Sequence, residues 1–202
     1  MTVIDTATRG TLTLALVGGF AGSGKSEAGK LLAASTGWAM FDKDTLTRPL
    51  TEHLLAASGG DPDDRHSDEY VNRVRPLEYD CLLKASWENL ECGVSAIMVA
   101  PFIREAADRQ WMSRIARRCH RMRARFEPFW VDSDAESMRE RLTSRNASRD
   151  TWKLTHWSAY LSTIDLGLRP VLEYHLIDNR IAAVRPLAEQ VESVAQRLQV
   201  SV

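Results

Sequence analysis

The sequence predicts an α/β fold, in which about five parallel strands form one sheet with helices on both faces. Short apolar, β-favouring runs alternate with segments of helical periodicity along all 202 residues, which is typical of a doubly wound sheet. The run at residues 94–100 is apolar except at Ser95, as expected for a central parallel strand buried on both faces. The first run, at residues 11–18, ends abruptly at glycine and leads into a helical pattern. In such folds, ligands bind at the carboxyl ends of the strands.

The turn after the first predicted strand fills every fixed position of the phosphate-binding P-loop pattern G-x-x-x-x-G-K-[ST]. Its residues are Gly19, Phe20, Ala21, Gly22, Ser23, Gly24, Lys25 and Ser26. Glycines let backbone N–H groups curl around an anion, and the helix that follows directs its positive end to the same point. Lys25 is expected to reach the β- and γ-phosphates, and the Ser26 hydroxyl to bind Mg²⁺. The loop therefore predicts binding of a nucleoside triphosphate, which we take to be ATP, together with Mg²⁺.

A second short strand is predicted at residues 38–41, and two carboxylates, Asp42 and Asp44, follow it. At the carboxyl end of a strand, they face the same crevice as the P-loop. Either carboxylate could accept the proton of an acceptor hydroxyl, hold Mg²⁺ through water, or simply cap the next helix. The sequence leaves open which of the two acts as base and which orders the metal.

Helical patterns are predicted at residues 44–57 and 67–92, separated by a loop at 58–64 and with a kink or restart at Pro76. We name residues 44–92 the acceptor region, because the acceptor is expected to lie between them and the arginine-bearing segment that follows the fourth predicted strand. Arg48, His53 and Arg75 are its candidate contacts to a substrate, together with Asp42 and Asp44.

The second half of the chain continues the alternation of helices and strands. A helix is predicted from about residue 103, a strand at 129–131, a helix opened by a capping box at 133–136, and a helix at 150–164. A last strand at 174–177 and a closing helix from Pro186 complete the pattern.

A cluster of arginines follows the fourth predicted strand, within a segment that we name the lid (residues 139–160). Its members are Arg139, Arg141, Arg145 and Arg149. Three of them would share one face at a spacing of four residues if helix continued to Arg149. Guanidinium groups stabilise the charge that spreads over a transferring phosphoryl group, although a solvated basic helix would look similar.

Three of these segments resemble the zeta-toxin, chloramphenicol phosphotransferase and polynucleotide kinase group of small P-loop kinases. They are residues 19–26, the Phe-Asp-Lys-Asp segment at 41–44 and the Arg-Asn-Ala-Ser-Arg segment at 145–149. The resemblance implies a three-layer P-loop NTPase fold, with Asp44 as general base and Arg149 stabilising the transferred phosphoryl. It also implies that Asn179 and Arg180 lie near adenine. The chain departs from many P-loop enzymes at Ala100, where they carry a metal-binding Asp.

Composition sets the broad class of protein. The 44% apolar content and net charge of −1 suit one soluble domain over residues 1–202, with a loose tail at 1–10. Three widely spaced cysteines indicate reduced thiols, and no apolar run is long enough to span a membrane. We therefore expect a cytoplasmic protein without a membrane partner, either a monomer or a homodimer.

The resulting hypothesis is an ATP-dependent kinase that phosphorylates a hydroxyl of a small molecule, such as a metabolite or antibiotic. Lys25, Asp44, Arg145 and Arg149 are its expected catalytic residues, and Arg141, Arg145, Asn179 and Arg180 are expected to join the P-loop in binding ATP. One alternative is a kinase of polynucleotide or nucleoside 5′-hydroxyls. A further alternative is a regulatory protein that binds a nucleotide without phosphorylating an acceptor.

Overall fold

The computed structural model describes residues 11–200, so the predicted tail at 1–10 lies outside the described residues. Five parallel strands form one sheet in the order β2-β3-β1-β4-β5, which confirms the predicted fold class. The strands are β1 (Thr13–Gly18), β2 (Ala39–Asp42), β3 (Ala96–Val99), β4 (Arg125–Asp132) and β5 (His175–Asp178). In the centre of the sheet, Leu16 of β1 is in register with Met98 of β3 and Pro128 of β4.

Nine α-helices connect or flank the strands within residues 11–200. They are α1 (Lys25–Thr36), α2 (Lys43–Ala57), α3 (Arg75–Glu91), α4 (Ile103–Ala107), α5 (Arg109–Arg121), α6 (Ala135–Arg145), α7 (Thr151–Thr155), α8 (Trp157–Ser162) and α9 (Leu187–Val200). A π-helix at Tyr70–Val74 precedes α3, and a 3₁₀ turn at Ser148–Asp150 precedes α7. None of the helices in this part of the chain combines the length and apolar character needed to cross a bilayer.

The core has two halves because successive side chains of a strand point to opposite faces of the sheet. Leu14 and Leu16 of β1 pack with α3 and α5 on one face, through residues such as Leu82 and Met112. The intervening Ala15 and Val17 pack on the other face, against α1 and α9. The result is a three-layer α/β/α sandwich in which the carboxyl ends of β1, β2 and β3 meet at one edge.

Local structure differs from the prediction where single residues stop a helix. Asp108 divides the helix expected from residue 103 into two, because its carboxylate caps α5 by accepting the Gln110 and Trp111 N–H groups at 2.8 and 3.1 Å. The helix expected at 150–164 is likewise divided at His156, where φ is −114°.

The expectation that Arg141, Arg145 and Arg149 share one helical face is wrong for Arg149. Helix α6 ends at Arg145, because Asn146 adopts the left-handed conformation with φ of 46°, a common helix terminator. Arg149 lies instead in the 3₁₀ turn, which carries it back toward the carboxyl end of β2.

Candidate active site

The P-loop connects β1 to α1 and leaves the first turn of the helix uncapped. Gly24 has φ of 92° and supplies no side-chain cap, and the first helical hydrogen bond runs from the Ala28 N–H to the Gly24 carbonyl at 3.0 Å. The N–H groups that begin α1 therefore have no partner within the helix. The hydroxyl of Ser23 is also buried without a hydrogen-bond partner. Unpaired donors around a helix N-terminus fit an anionic ligand such as a triphosphate.

Lys25 is half-buried at the start of α1, and its ammonium makes a long contact of 3.4 Å to the Phe20 carbonyl. Burial lowers its pKa to about 8, against the opposing attraction of Asp44. An ammonium whose charged form is disfavoured by burial is stabilised when an anion binds beside it. This environment suits a phosphate-binding lysine.

Ser26 lies beside Asp42, with its hydroxyl donating to the Asp42 carboxylate at 2.6 Å. The other oxygen of Asp42 accepts the Asp44 N–H at 2.9 Å, so Asp42 is also the N-cap of α2. A hydroxyl and a carboxylate next to a phosphate-binding loop are oxygen ligands of the kind that Mg²⁺ prefers. The residues present therefore fit a magnesium ion bound with the nucleotide.

Asp44 lies between two cations in the first turn of α2. Its two oxygens lie 3.0 Å from Lys43 Nζ and 3.2 Å from Arg149 Nη2. Burial disfavours its charged form, but Lys43, Arg149 and Lys25 outweigh burial and hold the pKa of Asp44 well below its usual range. Asp44 is consequently ionised at neutral pH.

Lys43 is held from behind by Glu78, a carboxylate that is only 3% exposed. Glu78 Oε2 accepts from Lys43 Nζ at 2.8 Å and from the Tyr70 hydroxyl at 2.7 Å. Its Oε1 accepts from Thr51 at 2.9 Å and from Thr47 at 3.2 Å. This buried cluster joins α2, α3 and the π-helix, and it fixes the helix that carries Asp44.

A second buried carboxylate, Asp150, organises the lid. The Arg145 guanidinium donates to Asp150 through Nε at 2.9 Å and through a shorter Nη2 contact. Lys153 Nζ lies 3.7 Å from the other oxygen of Asp150. Burial lowers the pKa of Lys153, with Asp150 opposing that shift. Asp150 thus holds Arg145 at the site, although Asp150 itself is not part of the arginine pattern.

The lid contacts the acceptor region at two points. One is the ion pair of Arg149 with Asp44. The other is a ring contact in which His66 lies 4.5 Å from Trp152, which in turn stacks on His156 at 5.3 Å. Together the lid, the acceptor region and the ends of the strands enclose a cavity of about 560 Å³.

The cavity gathers half of the residues expected at the site. Of the predicted residues, its walls include Ala21, Lys25, Ser26, Asp42, Asp44, Arg48, Arg75, Arg145 and Arg149. Arg75 is already paired, because it donates to Glu105 at 2.8–2.9 Å and lies over the Tyr79 ring. Ala100, where a metal-binding Asp was noted as missing, also lines the cavity.

Outside the cavity walls lie five of the P-loop residues and four other predicted residues. Arg141 braces the P-loop by donating to Ser133 at 3.0 Å, to the Gly22 carbonyl at 3.4 Å and to the Asn179 carbonyl. Asn179 donates to the Ser23 carbonyl at 2.8 Å, so it also supports the loop. Arg180 is exposed and pairs with Asp178 at 2.7 Å. His53 is exposed on α2 and is not brought to the site.

Several site residues escaped the sequence analysis. Lys43 and Glu78 stood inside segments already noted, but nothing in the spacing paired residues 35 positions apart. Asp150 could have been found as a carboxylate following the lid arginines. Arg65 and Arg104 carry no motif at all, yet both line the cavity.

Comparison with known proteins agrees with this architecture. The chain resembles a candidate kinase from Chloroflexus aurantiacus, with a TM-score of 0.63 and 19% identity over 94% of this chain and 100% of that chain. It resembles a sugar kinase from Janibacter sp. (TM-score 0.60, 20% identity, 94% and 96% covered). It also resembles the APS kinase of Mycobacterium tuberculosis, solved with AMPPNP and APS (TM-score 0.56, 19% identity, 94% and 99% covered). At these identities the likeness is one of fold.

No curated protein matches the chain significantly. The sequence model of an AAA domain, AAA_33, matches residues 14–166, which span β1, the P-loop, the acceptor region and the lid. That match covers well over half of the sequence, and the chain therefore belongs to the AAA domain family AAA_33.

Proposed function

We propose that the protein is an ATP-dependent kinase that transfers the γ-phosphoryl group to a hydroxyl of a small molecule. The observation that carries the proposal is the contact of Asp44 with Arg149 in a cavity whose other end is the P-loop. A carboxylate that can take a proton thus lies beside a guanidinium that can stabilise a transferring phosphoryl group. A protein that only binds nucleotide has no need of this pairing.

The nucleotide end of the site is supplied by the P-loop. Its amide groups and Lys25 would hold the β- and γ-phosphates, and Arg141 with Asn179 would keep the loop in shape. Ser26 and Asp42 would hold Mg²⁺, which supplies neutralisation of the phosphate charge. The 2.6 Å contact of Ser26 with Asp42 supports this assignment and leaves Asp44 for the proton.

The transfer itself forms a bond between the acceptor oxygen and phosphorus and breaks the bond from phosphorus to the β-phosphate bridge. Asp44 takes the acceptor proton, and ADP leaves with the bridging oxygen. During transfer, Arg149 breaks its ion pair with Asp44 and binds the phosphoryl oxygens, so that the Asp44 carboxylate is free to accept the proton. Arg145 and Lys25 share the remaining charge.

A small-molecule acceptor suits the size and position of the cavity. A volume of about 560 Å³ lies within the range of small-molecule sites. The arginine-rich run at residues 114–125 belongs to α5 and the start of β4 and does not line the cavity. That placement favours a metabolite over a nucleic-acid 5′-hydroxyl.

The test is an ATP-consumption screen across hydroxylated metabolites and 5′-hydroxyl oligonucleotides, with wild-type protein and Asp44→Asn. We expect an acceptor whose turnover falls by about 10²–10⁴-fold in the variant, the usual contribution of a general base. Asp80→Asn is the matched control, because Asp80 forms an exposed pair with Lys84 on α3. Full turnover in Asp44→Asn would refute the base, and failure to bind ATP with Mg²⁺ would refute the kinase.

A further inference from the structure

The cavity carries a large excess of positive charge. Ten Lys and Arg side chains line it, against three Asp side chains. A triphosphate accounts for the cations around the P-loop and the lid arginines. The remaining cations need either the protein's own carboxylates or another ligand to neutralise them.

Most of the remaining cations have partners within the protein. Lys43 is neutralised by the buried Glu78 and Arg75 by the half-buried Glu105. Lys153 shares Asp150 with Arg145. Arg65 donates to two backbone carbonyls and lies over the Tyr70 ring. These side chains are held by the fold without any ligand.

Arg48 and Arg104 are different, because neither forms an ion pair or hydrogen bond within residues 11–200. Arg48 lies on α2 one turn beyond Asp44, and its Nε is buried without a partner. Arg104 is exposed and lines the same cavity from α4. The buried Nε of Arg48 is a donor without an acceptor, which costs free energy unless a ligand supplies one.

We propose that the acceptor carries an anionic group (a carboxylate, phosphate or sulfate) in addition to its reactive hydroxyl, and that Arg48 and Arg104 bind that group. This inference rests on the proposed kinase function. Residues four apart on a helix have Cβ atoms about 5–6 Å apart, so the anionic group lies within a few bonds of the hydroxyl that faces Asp44. The substrate class is a compact hydroxy acid or sugar phosphate.

The first experiment measures anion binding directly. Protein saturated with AMPPNP and Mg²⁺ has its P-loop filled, so calorimetric titration with inorganic phosphate and, separately, with D-glycerate probes the acceptor end alone. We expect Arg48→Met and Arg104→Met each to weaken binding at least about tenfold, because each removes a charged hydrogen bond. Arg48→Lys keeps the positive charge but lacks the forked guanidinium, and we expect it to lose less affinity than Arg48→Met does. Arg117→Met, at an exposed position of α5 outside the cavity, is the matched control.

Equal affinity in wild type and in the double variant Arg48→Met/Arg104→Met would overturn the inference. So would the absence of phosphate and glycerate binding to wild type. Melting curves of every variant establish that the fold is retained.

The second experiment compares acceptors in matched pairs, glycerol with glycerate and ribose with ribose 5-phosphate. The inference requires the anionic member to be the better substrate, with KM rather than kcat changed in Arg48→Lys. Preferred turnover of the neutral members overturns the inference and leaves the kinase standing. Phosphate binding that depends on Arg48, without transfer to any hydroxyl, refutes the kinase and leaves the anion site standing.

Discussion

Replacing Glu78 by Gln should destabilise the protein strongly, although the two side chains have nearly the same shape. An amide oxygen can still accept from Lys43 and Tyr70, and the hydroxyls of Thr47 and Thr51 can turn to accept from the amide NH₂. What the change removes is the negative charge opposite the buried Lys43 ammonium. Asp44, the other partner of Lys43, has a side chain that is 38% exposed and cannot replace a carboxylate that is 3% exposed.

Removing one partner of a buried ion pair costs about 3–5 kcal/mol. The lower end applies here because the hydrogen bonds survive, so we expect a loss of about 3 kcal/mol. For a domain of this size, that loss lowers Tm by about 6–12 °C. Thermal unfolding followed by circular dichroism measures the shift. Glu91→Gln is the control, because Glu91 forms only an exposed pair with Arg118 at 3.6 Å, and such changes stay within about 0.5 kcal/mol.

The double variant Lys43→Met/Glu78→Gln tests whether the two charges are coupled. It removes the ammonium that has lost its buried counter-ion, so its loss of unfolding free energy should be well below the sum of the losses in the two single variants. Costs that add to within about 0.5 kcal/mol would mean that Lys43 and Glu78 are energetically independent. The charge argument would then be wrong.

Two further predictions concern the P-loop. ATP affinity should fall as pH rises through about 8, because the Lys25 ammonium of the nucleotide-free protein loses its proton there and must regain it to bind phosphate. Calorimetric titration with ATP just above that pH, in two buffers of different ionisation enthalpy, should detect proton uptake on binding. Binding without proton uptake would contradict the prediction. Gly22→Ala should weaken ATP binding and lower Tm more than Gly59→Ala. Both glycines have φ near +78°, but a Cβ at Gly22 would lie 2.7 Å from the Met138 carbonyl, whereas a Cβ at Gly59 would have no neighbour within 4 Å; equal effects in the two variants would show that backbone strain alone matters.

The fold was largely predictable because each of its elements has a local signature. The apolar run before Pro101 could be only a buried strand or helix, and its length and flanks favoured the strand. Helix ends were harder to place, because Asn146 and Asp108 act through backbone geometry and capping that compete with an uninterrupted helical pattern. The length of β4 was underestimated for a related reason, since its first four residues include Arg125, Glu127 and Pro128, which break the apolar pattern although the segment pairs with β1 through the backbone.

The site was predictable where function depends on contiguous sequence and unpredictable where it depends on packing. The P-loop could be read directly, and the position of Asp44 after β2 followed from the topology. The pairing of Ser26 with Asp42 and of Asp44 with Arg149 gives different surroundings to two carboxylates whose roles the residue pattern alone left open. Contacts such as Lys43 with Glu78, and the lack of a hydrogen-bond partner for Arg48 Nε within residues 11–200, arise from helices that meet only in three dimensions. No spacing rule within a single sequence encodes them.

The Arg149–Asp44 and His66–Trp152 contacts between the lid and the acceptor region have different chemistry. The Arg149–Asp44 contact is ionic and partly open to water, so dissolved salt weakens it. The contact of His66 with Trp152 is between aromatic rings and is largely insensitive to salt. Raising the ionic strength therefore weakens the ionic contact between the lid and the acceptor region and leaves the aromatic contact almost unchanged.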